Sequence, residues 1–72
     1  MIQIEDRTGK SGALCEGVRF RAEDKLGNKY EYRYEGIEKT SNGCDIHLHN
    51  LTNDTKTYVE KEWFRQRKII IL

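Results

Sequence analysis

At 72 residues the chain has room for one small domain, residues 1–72, and not for a second. Hydrophobic residues make up 36% and charged residues 35%, so the core must be thin; 13 basic against 12 acidic side chains leave a net charge of +1, without the strong positive field of a DNA-coating protein. No apolar run approaches the ~20 residues of a membrane span, residues 1–6 lack the basic and apolar regions of a signal peptide, and two cysteines, Cys15 and Cys44, then read as reduced thiols of a cytoplasmic protein.

The chain opens with Ile2 and Ile4 alternating with polar neighbours, which suits a short edge strand. The polar residues that follow carry two glycines, so residues 1–16 are expected to be that edge strand plus a mobile loop. Gly9-Lys10-Ser11 has the ending of a phosphate-binding loop. That motif needs a glycine five residues earlier, where Ile4 stands, and an apolar helix after it, so no nucleotide site is assigned.

From Val18 the pattern sharpens. Val18, Phe20 and Ala22 alternate with Arg19, Arg21 and Glu23, and Tyr30, Tyr32 and Tyr34 alternate with Lys29, Glu31, Arg33 and Glu35. A period of two puts one set on each face of a strand. A three-residue loop, Lys25-Leu26-Gly27, joins the two strands and fixes the register. Ala22 then faces Tyr30, Phe20 faces Tyr32 and Val18 faces Tyr34, while Arg21 meets Glu31 and Glu23 meets Lys29. Arg19 opposite Arg33 is the one poor pair, and Glu35 is near enough to soften it.

After Tyr34 the parity breaks. A bulge at Glu35-Gly36 would return Ile37 to the tyrosine face. Asn42-Gly43 is a strong hairpin signal and predicts Lys39 opposite Ile46 and Ile37 opposite Leu48. Cys44, Ile46 and Leu48 then point inward, and Asp45, His47 and His49 outward. A further turn at Asn53-Asp54 predicts Leu48 opposite Val59, His49 opposite Tyr58 and His47 opposite Glu60. The glycosylation-like triplets that start at Asn50 and Asn53 are chance matches in a chain without an export signal. Glu60-Lys61-Glu62-Trp63-Phe64 loses the alternation and suits a helical or 3₁₀ turn that inserts Trp63 or Phe64 as a plug. Arg65-Gln66-Arg67-Lys68 is basic and exposed. Residues 69–72 form a β-branched last strand, expected to pair with Ile2 and Ile4 because an open edge of this kind would aggregate.

The kinked strand, the Asn42-Gly43 hairpin, and Val59 followed by the turn with Trp63 and Phe64 resemble SH3-like barrels over residues 17–72. The Tudor-like branch and the small barrels encoded by bacterial mobile elements or phages are most similar. The resemblance implies an all-β fold: a small SH3-like barrel of five or six antiparallel strands with a short helical turn before the last strand. It also implies binding of protein segments or nucleic acid in preference to catalysis.

Three constellations carry chemistry. Asp45, His47 and His49, with Glu38 and Glu60 across neighbouring strands, have the residue types of a Zn²⁺ site, but no Cys-x-x-Cys or second ligand cluster supports them, so no metal is expected. The tyrosines are expected to be mainly core, with one or two exposed. Arg65, Arg67 and Lys68, with Tyr58 and Trp63, are the candidate binding residues. No nucleophile stands with a base at readable spacing, and a small barrel has little concavity, so no enzyme, cofactor or small-molecule substrate is expected. The expected role is a non-enzymatic interaction module that binds a protein partner or itself, with no membrane; the alternative is a nucleic-acid-binding barrel that uses the basic C-terminal segment.

Overall fold

The alternation from Phe20 to Tyr34 builds the middle of the fold. In the computed structural model, which describes Met1–Leu72, β3 (Arg19–Glu23) and β4 (Lys29–Thr40) pair antiparallel in the expected register, Phe20 opposite Tyr32 and Ala22 opposite Tyr30. The connecting loop keeps its three residues. Asp24 closes it by accepting the Leu26 and Asn28 N–H groups on Oδ1 at 2.9 and 3.0 Å, and Gly27 takes φ +87°. On the outer face Arg21 stands opposite Glu31 and Glu23 opposite Lys29 in register, though neither pair closes into a salt bridge, and Arg33 turns from Arg19 to Glu35 at 3.2 Å.

Beyond Tyr34 the sheet follows burial over local turn preference. A bulge separates the pair Tyr34–Leu48 from the pair Gly36–His47, and Gly36 has φ +141°, a conformation open to glycine and strained for other residues. The bulge does return Ile37 to the core face, opposite buried Ile46 and not Leu48, yet Ile37 remains 45% exposed. The reason is length. β4 and β5 (Gly43–Asn50) run past the end of the core, so Cys44, expected inside, is exposed on the same overhang. The hairpin turn sits on Ser41-Asn42, with Thr40 opposite Gly43, instead of on Asn42-Gly43.

The next hairpin shifts for a different reason. The β4 residue Glu31 takes both loop residues: its carbonyl accepts the Leu51 N–H at 2.8 Å, and its N–H donates to Thr52 Oγ1 at 3.0 Å. A two-residue turn at Asn53-Asp54 is therefore replaced by a loop over residues 51–54, with Asn50 Oδ1 accepting the Asn53 N–H and Asp54 at φ +53°. β6 (Thr55–Val59) consequently sets Val59 opposite Ile46 and Tyr58 opposite His47; neither Leu48–Val59, His49–Tyr58 nor His47–Glu60 is a pair.

The helical turn forms as expected. α1 (Lys61–Arg65) drives Phe64 into full burial, while Trp63 lies half-buried with its ring edge-on to Tyr32 and Phe64, at 5.1 and 4.9 Å between centroids. It is too short to cross a membrane.

Two expectations for the ends of the chain fail. The region expected to be a mobile loop contains β2 (Ser11–Leu14), which pairs with β1 (Ile2–Glu5) and buries Leu14 completely. The last strand, β7 (Lys68–Ile71), pairs with β3 and not with Ile2 and Ile4. The order is therefore β6-β5-β4-β3-β7 in one sheet and β1-β2 in another, making seven strands where five or six were expected, and the larger sheet does not close into a barrel. β1 pairs with β2 and not with β7, which leaves β7 without a strand on its outer side. The β1–β2 hairpin instead contributes Ile2, Ile4 and Leu14 to one core with Phe20, Tyr32, Tyr34, Ile46, Leu48, Phe64 and Ile69.

Candidate functional site

The outer edge of β7 brings together exposed apolar side chains and backbone groups without a partner strand. Leu72 donates its N–H to the Arg19 carbonyl at 3.0 Å, which makes Leu72 and, two and four residues back, Ile70 and Lys68 the residues bonded to β3. The N–H and C=O groups of Ile69 and Ile71 must then point the other way. Ile69 shows this directly, because its N–H reaches the Asp6 carboxylate at 3.1 Å. One step earlier the Arg67 carbonyl accepts the Arg7 N–H at 2.8 Å. Residues 6 and 7 thus cover the start of this edge. Past them, the Ile69 carbonyl and both backbone groups of Ile71 have no strand beside them.

Asp6 is the hinge of this arrangement and was not singled out in the sequence, where it reads as one polar loop residue. Its Oδ1 accepts the Thr8 N–H at 2.8 Å, the Thr8 hydroxyl at 2.6 Å and the Lys10 N–H at 3.1 Å, while Oδ2 holds Ile69. Burial pushes the Asp6 carboxyl up, but these hydrogen bonds outweigh it and hold the pKa below the usual aspartate value. The signal was present: Asp-x-Thr-Gly is an aspartate-centred turn that returns the chain on itself, which is what lets β1 meet β2.

Beside the edge lies a groove of about 140 Å³ whose lining includes Ile4, Asp6, Gly12, Ile69, Ile70 and Ile71. Gly12 lets Ile71 in: a Cβ there would stand 3.3 Å from Ile71 Cδ1. Ile70, Ile71 and Leu72 remain 39%, 46% and 52% exposed, a contiguous apolar strip at an open strand edge. The opposite edge of the same sheet differs. β6 presents Lys56 and the threonines Thr55 and Thr57, the polar and charged character that discourages edge pairing.

The residues picked from the sequence do not converge on one place. Arg65 bonds Glu62 at 3.2 Å; Arg67 lies with its guanidinium 4.3 Å from the Trp63 ring centroid and donates to the Trp63 carbonyl at 3.0 Å; Lys68 stands opposite Glu23 in the sheet. Tyr58 is exposed on the outer face of β6, its ring edge-on to His47 at 4.6 Å, whereas Trp63 packs on the core side.

The histidines are likewise separated. His47 Nε2 meets Glu38 at 3.1 Å, but Glu60 is not beside it. His49 Nε2 meets Asp54 at 2.8 Å, and its Nδ1 lies 3.1 Å from Arg33. Since arginine can only donate, Nδ1 accepts and Nε2–H donates to Asp54. Hydrogen bonds from Arg33 hold the Glu35 carboxyl below the usual glutamate range. Asp45, His47 and His49 belong to no group of three or more His, Cys, Asp or Glu side chains placed to hold a metal ion.

Comparison with protein-family models, with curated proteins and with solved structures finds no match to this chain.

Proposed function

We propose that the chain is a non-enzymatic interaction module that takes up an extended protein segment at the open edge of β7, by strand addition. The observation that carries this reading is the pairing state of Ile71, whose N–H and C=O face away from β3 between two exposed apolar side chains and beside the groove at Ile4 and Gly12. Main-chain bonds at such an edge give affinity for any extended segment, and side-chain pockets give selectivity. The basic segment is not the docking surface in this reading, because Arg65, Arg67 and Lys68 face Glu62, Trp63 and Glu23 respectively. Architecture supports the same view. Four consecutive strands, β3 to β6, form a meander; a helical turn follows, and the last strand returns beside the first. We read this order as that of an SH3-like sheet left open, with the β1–β2 hairpin added.

The test is a titration of ¹⁵N-labelled protein with a lysine-flanked peptide of alternating valine and threonine. Amide shifts confined to residues 69–72, Asp6 and Gly12 are expected. Shifts centred on Arg65 and Arg67, or none at all, would overturn the assignment.

A further inference from the structure

Resting on the strand-addition reading, we propose that the segment received at β7 is the same strand of a second copy of this chain, paired antiparallel about a two-fold axis at Ile71. The Asp6 carboxylate occupies the edge at Ile69, so an incoming strand meets the edge from residue 70 onward. Among residues 70–72, Ile71 alone turns both N–H and C=O outward, because Ile70 and Leu72 spend theirs on the β3 side. An antiparallel pair centred on one outward residue exchanges that residue's donor and acceptor with its own copy. The edge is therefore its own complement in hydrogen bonding.

Side chains agree. Centring on Ile71 lays Ile70 beside the partner's Leu72 on the outer face and Ile71 beside the partner's Ile71 on the core face. All three are exposed in the single chain, at 39%, 52% and 46% for Ile70, Leu72 and Ile71. Lys68 lies outside the paired stretch, so no like charges oppose each other across the axis. β6, the opposite edge, would set Lys56 against a copy of itself or its neighbours and carries no comparable apolar strip. The pairing is short, which places it with weak, concentration-dependent interfaces and not with obligate dimers.

Sedimentation of the full chain over roughly 10 μM to 1 mM protein tests this. The expected result is a mass of 8.5 kDa at low concentration that rises towards twice that value. Ile71→Pro removes an N–H that β3 does not use, so it should keep the far-ultraviolet spectrum and melting temperature of the parent while weakening association at least about tenfold. Ile70→Glu stands opposite Arg21 in its own sheet, places like charges in the interface and should do the same, which keeps the test intact if the proline variant does not fold. A single 8.5 kDa species across the range, or association undiminished in the folded variants, overturns the proposal. If the parent stays monomeric while the valine–threonine peptide still shifts residues 69–72, the second copy is excluded and strand addition stands; if the peptide fails too, both fall.

Discussion

Asp6 shows how much one side chain can hold. Its two oxygens take four hydrogen bonds, three that fold its own turn and one that reaches 63 residues along the chain to Ile69. Asp6→Ala leaves the Ile69 N–H without a partner in a buried place, a loss of roughly 1–3 kcal/mol, and releases the exposed turn at Thr8 and Lys10, read as a lower urea midpoint. The acid limb of stability carries a second signature. Because the Asp6 pKa is lower in the folded protein than in the unfolded one, its contribution is complete above the unfolded value near 3.8 and is lost as pH falls through the depressed folded value. Melting temperature followed from pH 7 down to pH 2 should therefore drop more steeply for the parent than for Asp6→Asn. Equal acid limbs would remove Asp6 from this role. Asp24 and Glu35, also lowered, leave part of the slope in both proteins.

Gly36 belongs to the same scale. A Cβ added there would find Glu16 Oε1 at 3.6 Å, an ordinary contact, so crowding is not the obstacle. The obstacle is φ +141°. Gly36→Ala should cost about 1–3 kcal/mol through backbone strain alone, seen in chemical denaturation. A cost near zero would mean that the bulge relaxes without glycine.

At the level of elements, what was legible in the sequence was what local pattern and burial agreed on. The Phe20–Tyr32 hairpin was readable because the apolar set, the charge pairs and Gly27 all demanded one register. The plug was readable too. Phe64 is fully buried against Phe20 at 5.8 Å between ring centroids, and Phe64→Ala should destabilise by about 3–5 kcal/mol, measured by thermal or urea unfolding. The two later hairpins depart from their dipeptide turn signals. Asn42-Gly43 was displaced by the need to put Leu48 against Tyr34, and Asn53-Asp54 by the claim of Glu31 on Leu51 and Thr52. Neither influence is local, so neither shows in a window of neighbouring residues. β2 was hidden by composition: Ser11-Gly12-Ala13 has little strand character of its own, and only the turn at Asp6 and the burial of Leu14 make it a strand.

For the whole molecule, the decisive feature is an open sheet in a chain expected to close. The sequence marks residues 69–72 as a strand that would aggregate if left unpaired, and the structure pairs it on one side only. Its start is covered by Asp6 and Arg7, and its remainder is left for a partner. The candidate basic and histidine residues read from the sequence do not converge: Arg65, Arg67, His47 and His49 each have a nearby acid or ring as partner, and Lys68 stands opposite Glu23. The edge was not readable as a site, since which backbone groups face outward depends on the pairing with β3.

Amide hydrogen exchange on dilute protein tests this account most directly, since it reads each edge group separately. Ile70 and Leu72, bonded to β3, and Ile69, bonded to Asp6, should exchange slowly, while Ile71 should exchange at close to the rate of a free amide. Protection of Ile71 equal to that of Ile70 in the dilute monomer would mean that the edge is closed, and would contradict the account.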